Sequence, residues 1–276
     1  MSIIEYLDYG FIQRAIISGA FIAVLCSTLG VLLVLRRLSL IGDGLAHVTF
    51  GSVALGLLFR VYPLYISLPV VMASSLGILK LMERARIFGD AAIGILSALG
   101  IAGGVLAASL AGGFNVDLFS YLFGNILSIS VQEVYTSICL SVIVLAVIVF
   151  NYHDIFSITF DEEFAMASGI NVNRINTMIV LFTAITVVLT MKVVGIMLTS
   201  ALLIFPAVTA FQVARGFKSA LLIAAAVALS SVISGIFLSL LFNLPTGASI
   251  VLVNFLFFAL AFICKSSFGE RKRSRS

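Results

Sequence analysis

The sequence predicts an all-α, polytopic membrane protein with about nine transmembrane helices, or eight if one candidate span is too short to cross. Of its 276 residues, 62% are hydrophobic and only 10% are charged, and the mean hydropathy is +1.24, well outside the range of water-soluble domains. Apolar runs of about 20 residues, the length that crosses the hydrocarbon core, follow one another with short polar breaks. Residues 1–276 are therefore expected to form a single membrane domain, without a separate soluble catalytic module.

The candidate spans follow from these apolar runs. They cover residues 12–35, 39–60, 62–82, 91–111, 132–150, 174–192, 195–214, 218–241 and 249–265. The run at 195–214 is the weakest candidate because it contains Pro206, and proline removes a backbone hydrogen bond from a helix interior. A short or broken helix there leaves eight full crossings.

Basic residues between the spans predict the orientation of the chain. Loops rich in Lys and Arg face the cytoplasm, and with nine crossings every basic cluster falls on the same side. This places the N-terminus outside and the C-terminus, with the basic tail 265–276, in the cytoplasm. The tail is interpreted as a topology signal that contacts anionic membrane lipid, not nucleic acid. The clusters are Arg36 with Arg37, Arg84 with Arg86, Arg174, Arg215 with Lys218, and the tail.

The segment 112–131 is apolar enough to look like a further span. A crossing there would reverse the orientation of every later loop and move their basic residues outside. The segment is therefore predicted to be a short re-entrant helix or a helix at the outer surface, packed against protein instead of lipid.

Asp43 and His47 are two ionisable residues within the second apolar run. Their i, i+4 spacing places both side chains on one face of a helix, at a depth where ionisable groups usually face a bundle interior or an aqueous path. An imidazole and a carboxylate on one face also form half of a site for a divalent transition metal. A twofold-related copy of the helix would raise the number of ligands to four. The residues are equally compatible with an N-cap at Asp43 and a hydrogen-bonded interior histidine at His47.

The longest cytoplasmic loop, 151–174, contains the main acidic cluster. Three acids at 161–163 precede a short apolar stretch that ends at Gly169, a pattern typical of a short helix with acids at its N-terminus and glycine after its C-terminus. Phe164 and Met166 have no membrane to enter at this position, which favours a cleft on a soluble partner. A loop packed on its own bundle explains the same residues equally well.

Five segments, in this order along the chain, resemble the permease subunits of bacterial zinc and manganese ABC importers. They are RRLSLIGDGLAHVTFGSVALG, VDLFSYLFGNILSIS, FDEEFAMASGI, MKVVGIMLTSALLIFPAVTA and LPTGASIVL. The resemblance implies a permease in a prokaryotic cytoplasmic membrane. Its implied partners are a second copy of itself, two ATPase subunits and an extracytoplasmic solute-binding protein that delivers metal.

The resemblance also implies roles for individual residues. Asp43 and His47 match the metal contacts of the closed translocation path. The segment FDEEFAMASGI is similar to the coupling helix, with Glu163, Ala165 and Gly169 at the acid, alanine and glycine positions of the importers' EAA-type loop. The expected ATPase-coupling residues are Asp161, Glu162, Glu163, Phe164, Ala165 and Gly169. Gly195 and Pro206 are expected to form a hinge or gate, although core packing explains their segment equally well.

Zinc is the expected cargo, because VDLFSYLFGN and MKVVG look more like zinc permeases, while manganese and iron also suit an Asp/His site. No permanently bound cofactor is expected. The chain contains no Walker motif, so the prediction is that it is not an enzyme and that ATP is used by the partner subunit. A secondary transporter can also carry such a pair, and an intramembrane metalloenzyme would need a motif such as HExxH, which is absent.

Overall fold

A computed structural model of the chain describes residues 9–84, 88–113, 116–125, 129–191 and 193–273. These residues form α-helices and a short 3-10 helix (Ile196–Leu198), and no β-strand occurs among them, which confirms the all-α prediction. Arg86 and the tail residues 274–276, which belong to the predicted basic clusters, lie outside the described residues. The helices are α1 (Gly10–Leu35), α2 (Ile41–Leu58), α3 (Pro63–Arg84), α4 (Gly89–Leu110), α5 (Val116–Phe123), α6 (Val131–Phe150), α7 (Tyr152–Phe160), α8 (Glu162–Ala167), α9 (Val172–Thr190), α10 (Thr199–Val213), α11 (Phe217–Phe242) and α12 (Thr246–Arg273).

Eight helices in the described ranges are long and apolar enough to cross a bilayer: α1 to α4, α6, α9, α11 and α12. Helix α10 has only 15 residues, which gives it a length of about 22 Å, whereas the hydrocarbon core is about 30 Å thick. It contains Pro206 and is preceded by the 3-10 helix. The sequence-based expectation that 195–214 is a short or broken helix is confirmed.

Residues of the predicted basic clusters or their direct neighbours lie at one end of the bundle, named here the basic end, whereas Arg60 follows α2 at the other end. Arg36 follows α1 and lines a cavity together with Glu162 of α8, and the residue before Arg36 lines a second cavity with Phe217 at the start of α11. At the same end, Nζ of Lys265 donates a hydrogen bond to Oε1 of Gln212 at 3.2 Å. Helices α1, α7 and α10 therefore end here, α2, α8 and α11 begin here, and α12 reaches this end at Lys265.

The opposite end is closed by α5, which packs on the non-helical segment before α10. Gly124 and Gly195 have φ angles of 76° and 93°, a left-handed conformation that glycine adopts without strain. Their backbones are in contact, since a Cβ at Gly195 would lie 2.5 Å from the carbonyl oxygen of Leu122. Within 112–131 the structure thus contains a short helix packed against protein, as the sequence predicted.

Glycines bring α2 and α4 into close contact at the centre of the bundle. A Cβ at Gly51 would lie 2.6 Å from the carbonyl oxygen of Gly100, and a Cβ at Gly100 would lie 2.7 Å from the carbonyl group of His47. Small residues allow helix backbones to approach this closely within a membrane. Because Gly100 is near the midpoint of α4 (Gly89–Leu110), the packing places His47 at mid-depth in the bundle.

Candidate functional site

Asp43 and His47 form an open face on an otherwise buried part of α2. Between Ile41 and Ala54, every residue is buried except these two, whose side chains are 49% and 22% exposed, respectively. The i, i+4 spacing therefore does place both side chains on one face. Polar groups on the open side of an apolar bundle are typical of a path for ions.

The two side chains are close enough to contact one ion. His47 Nε2 lies 3.6 Å from Asp43 Oδ2, which is too long for a hydrogen bond. Two protein ligands bound to one tetrahedral ion at about 2.0 to 2.2 Å are about 3.4 Å apart. The observed separation is close to that of two ligands on the same ion.

The structure does not favour the two purely structural interpretations of this pair. The N-cap of α2 is Leu40, and no side chain caps the helix, so Asp43 does not act as the N-cap. His47 Nδ1 is buried without a hydrogen-bond partner among the described residues, so the histidine is not a satisfied interior residue. A buried imidazole nitrogen without a partner is unfavourable, so hydrogen bonding within the described chain does not explain a histidine at this position.

Ser200 contributes to this site, although the sequence analysis did not single it out. Its Oγ donates a hydrogen bond to Asp43 Oδ1 at 3.3 Å, across 157 positions of the chain. Ser200 is the second residue of α10, which directly follows the 3-10 helix Ile196–Leu198. Nothing in its local sequence distinguishes it from other membrane serines, which usually bond between helices.

The described residues of a single copy do not provide a complete set of metal ligands. No group of three or more His, Cys, Asp or Glu residues that could hold a metal ion is found in the ranges that the structure describes. Asp43 and His47 supply two ligands, whereas a bound transition metal generally takes four or more. The pair alone is therefore half of such a ligand set at most.

The predicted coupling residues form helix α8 at the basic end. Asp161 is its N-cap, and its Oδ1 accepts a hydrogen bond from the Phe164 N–H at 2.9 Å. Gly169 has a φ of 85°, and the two amides at 169 and 170 bond back to the carbonyls of Met166 and Ala165, an arrangement typical of a glycine-terminated helix. The predicted short helix is thus present, with its acids in the first turn.

Helix α8 presents apolar side chains to solvent. Phe164 is 64% exposed and Met166 is 54% exposed, whereas Ala165 between them is fully buried. An exposed aromatic residue beside acids on a short helix is a surface suited to a groove on another protein. The buried Ala165 anchors the helix to its own bundle.

Replacement of Asp161 by alanine is expected to loosen α8. The N-cap stabilises a helix by about 1 kcal/mol, so amide hydrogen exchange over residues 162–167 should become about fivefold faster in the purified chain. Asp161→Asn is the matched control, because Asn caps as well as Asp, and its exchange should stay close to wild type. Equal exchange rates in the two variants would contradict the capping role.

Gly195 and Pro206, the predicted hinge or gate residues, lie on either side of Ser200. The segment at Gly195 is held by polar contacts: Thr199 Oγ1 donates to the carbonyl of Gly195 at 2.8 Å and lies 2.8 Å from Thr190 Oγ1. Pro206 is buried within α10, and the helix continues past it. The break in helical structure therefore falls at Gly195 and not at Pro206.

These observations define the class of the protein. A bundle of eight long apolar helices with an open polar pair on one of them is typical of an integral membrane transport protein. The chain belongs to the ABC 3 transport family, whose model matches residues 8–265. It is a membrane subunit of an ABC transporter, and the ATPase is a separate subunit.

Individual relatives support this assignment over nearly the whole chain. The manganese transport system membrane protein MntC of Halalkalibacterium halodurans is 31% identical over 98% of this chain and 92% of its own length. A Haemophilus influenzae protein named as a probable iron transport system membrane protein is 33% identical over 94% of this chain and 95% of its own. Among solved structures, PsaBC from Streptococcus pneumoniae in complex with Fab matches with a TM-score of 0.82 and 29% identity, over 93% and 92% of the two chains. The resemblance to metal ABC importer permeases, predicted from five sequence segments, is confirmed.

Proposed function

We propose that this chain is the permease of an importer that moves a divalent first-row transition metal through a site made by Asp43 and His47. The observation that carries the proposal is the geometry of the pair. The two residues are the only ones of 41–54 that are not buried, their side chains lie 3.6 Å apart, and the backbone of His47 packs at mid-depth against Gly100. A carboxylate and an imidazole without a thiolate suit an ion that must bind and then be released.

The proposed site is shared by two copies of the chain. One copy provides two ligands, and a twofold axis next to α2 would bring a second Asp43 and His47 to the same ion. The partial exposure of both side chains in a single chain supports this arrangement, because a surface covered by a symmetric partner is open in the isolated copy.

Manganese is the first candidate cargo. The relatives named above are described as manganese or iron proteins, and these names do not support the zinc preference that the sequence suggested. A site of two carboxylates and two imidazoles accepts manganese, iron and zinc. We therefore place manganese first and retain iron and zinc as the alternatives.

The proposed mechanism is alternating access driven by ATP. In it, the basic end faces the cytoplasm of a prokaryotic cell, as the positive-inside rule requires, and α8 of each copy binds one of two ATPase subunits through Phe164 and Met166. A solute-binding protein delivers metal at the opposite end. Closure of the ATPase dimer moves α8, and the non-helical segment at Gly195 allows α10 and Ser200 to move relative to Asp43.

Uptake of radiolabelled metal into proteoliposomes tests this function. The vesicles contain the chain with the ATPase subunit and solute-binding protein of the same transporter, and uptake is measured with and without ATP. We expect ATP-dependent manganese uptake that excess unlabelled iron or zinc reduces and that magnesium does not. Equal uptake without ATP, or no uptake of any of the three metals, would overturn the proposal.

A further inference from the structure

The cavity at the basic end lies between two parts of the chain that the proposed function assigns to different tasks. It has a volume of about 470 Å³ and is lined by Arg36 and Leu38 from the turn between α1 and α2, by Glu83 of α3, by Glu162 of α8, and by Asn176 of α9. The turn leads directly into the helix that carries Asp43. Helix α8 is the predicted contact with the ATPase.

Arg36 and Glu162 have opposite charges and face this same cavity. Arg36 is partly buried. Burial lowers the pKa of its guanidinium, and the negative charge of Glu162 acts in the opposite direction. The charge of Glu162 thus acts on Arg36 across a partly desolvated space, where attraction is stronger than at an open surface.

The turn that carries Arg36 is firmly attached to both of its helices. The Leu38 amide donates to the Leu33 carbonyl of α1 at 2.8 Å, and the Ile41 amide donates to the Leu38 carbonyl at 3.0 Å. A displacement of Arg36 is therefore passed to the start of α2 at Ile41, two residues before Asp43. Helix α8 itself packs mainly on α7 and α9, and the charge pair connects it with the turn before α2.

We propose that Arg36 and Glu162 form an electrostatic link by which movement of α8 reaches the turn before α2 and repositions Asp43 and His47. The inference rests on the proposed function, because it assumes that α8 contacts the ATPase and that the Asp43–His47 pair binds the cargo. The cavity provides the space that the two groups need to approach each other. Arg36 is a positioning residue and does not touch the metal.

A charge-reversal series in the complete transporter tests the link. The variants are Arg36→Gln, Glu162→Gln and the double reversal Arg36→Glu with Glu162→Arg. The readouts are recovery of the ATPase subunit on purification, the rate of ATP hydrolysis, and manganese uptake. For both single variants we expect a decrease of about tenfold or more in manganese transported per ATP. For Arg36→Gln, which lies outside α8, we also expect ATPase recovery and hydrolysis within about twofold of wild type. The double reversal should restore manganese transported per ATP to at least about a third of the wild-type value, because the two opposite charges attract each other again with their positions exchanged.

Two neighbouring residues provide matched controls. Arg37 is the exposed basic neighbour of Arg36, and Glu83 is an exposed acid on the same cavity. Arg37→Gln and Glu83→Gln should transport within about twofold of wild type, because neither removes a member of the pair. If either control loses as much coupling as Arg36→Gln, the effect comes from the general charge of this end and the specific link is overturned.

A measurement independent of transport separates failure of the link from failure of the proposed function. In the purified chain, the melting temperatures of the two single Gln variants and of the double Gln variant form a double-mutant cycle. We expect the double variant to lose less than the sum of the single losses. Additive losses, or normal manganese uptake by Arg36→Gln, overturn the link while the proposed function stands. A wild-type transporter that moves no metal overturns the proposed function, and the transmitting role of the pair with it.

Discussion

Alanine at Asp43 or at His47 is expected to reduce manganese uptake by about a hundredfold or more. In the proposed dimer each substitution removes two of four ligands, because the same position changes in both copies. The fold should tolerate the change, since both side chains are partly exposed and their truncation leaves no buried cavity of the kind that makes core substitutions destabilising. The measurement is ATP-dependent uptake in proteoliposomes, with the amount of co-purified ATPase as the check on assembly.

Thr49 provides the matched control for these variants. It lies on the same helix and is fully buried, and its hydroxyl donates to the carbonyl of Leu45 at 2.8 Å, so it does not belong to the open face. Thr49→Val should transport within about threefold of wild type, because it removes one intrahelical hydrogen bond of modest net value. Ser200→Ala should reduce manganese uptake by about five- to tenfold, more than Thr49→Val and less than alanine at Asp43 or His47. Unchanged uptake in Asp43→Ala or His47→Ala would show that the pair is structural and that the path lies elsewhere.

Replacement of Gly100 by alanine is expected to disturb the site through the backbone of His47. The new Cβ would lie 2.7 Å from the carbonyl group of His47 and from the Cα of Val48, and backbone atoms cannot move aside as a flexible side chain does. Helix α4 must therefore move away from α2, which we expect to destabilise the chain by about 1–3 kcal/mol. Because the shift occurs at His47 itself, manganese uptake should also decrease, by about tenfold or more.

Gly103 is the matched control on the same helix. A Cβ at this position meets no atom within 4 Å, so Gly103→Ala should be neutral or slightly stabilising, as expected for replacing a helical glycine by alanine. Because the chain contains no Trp, stability is followed by size-exclusion chromatography after heating instead of by tryptophan fluorescence. If Gly100→Ala and Gly103→Ala lose the monodisperse peak at the same temperature, the close contact between α2 and α4 does not support the site.

The positions of the helices and of the polar pair could be predicted because they depend on local properties. Hydropathy alone identified eight spans and the weak one at 195–214, since the cost of placing polar residues in hydrocarbon is summed along one segment. The spacing of Asp43 and His47 predicted a shared face, because helical geometry is the same in every context. The three acids and Gly169 predicted α8 for the same reason, since caps act within a single turn.

Other features of the site depend on residues that are distant in the sequence. The hydrogen bond from Ser200 to Asp43 joins positions 157 residues apart, and no local signal marks this serine among the many in the chain. The choice of metal also could not be predicted from local sequence, because the zinc preference relied on the look of short segments and the ligand types themselves suit several metals.

The sequence by itself determined that this is a helical membrane protein, which eight segments are long and apolar enough to cross, and that Asp43 and His47 share a face, because these properties follow from composition and from the geometry of one helix. Only the tertiary structure decided that this face is open while its neighbours are buried, that Gly100 supports His47, and that Arg36 and Glu162 meet at one cavity. The physical reason is that burial and contact are set by how distant helices fit together. That fit depends on the shapes of all helices at once, whereas hydropathy and periodicity describe each helix alone.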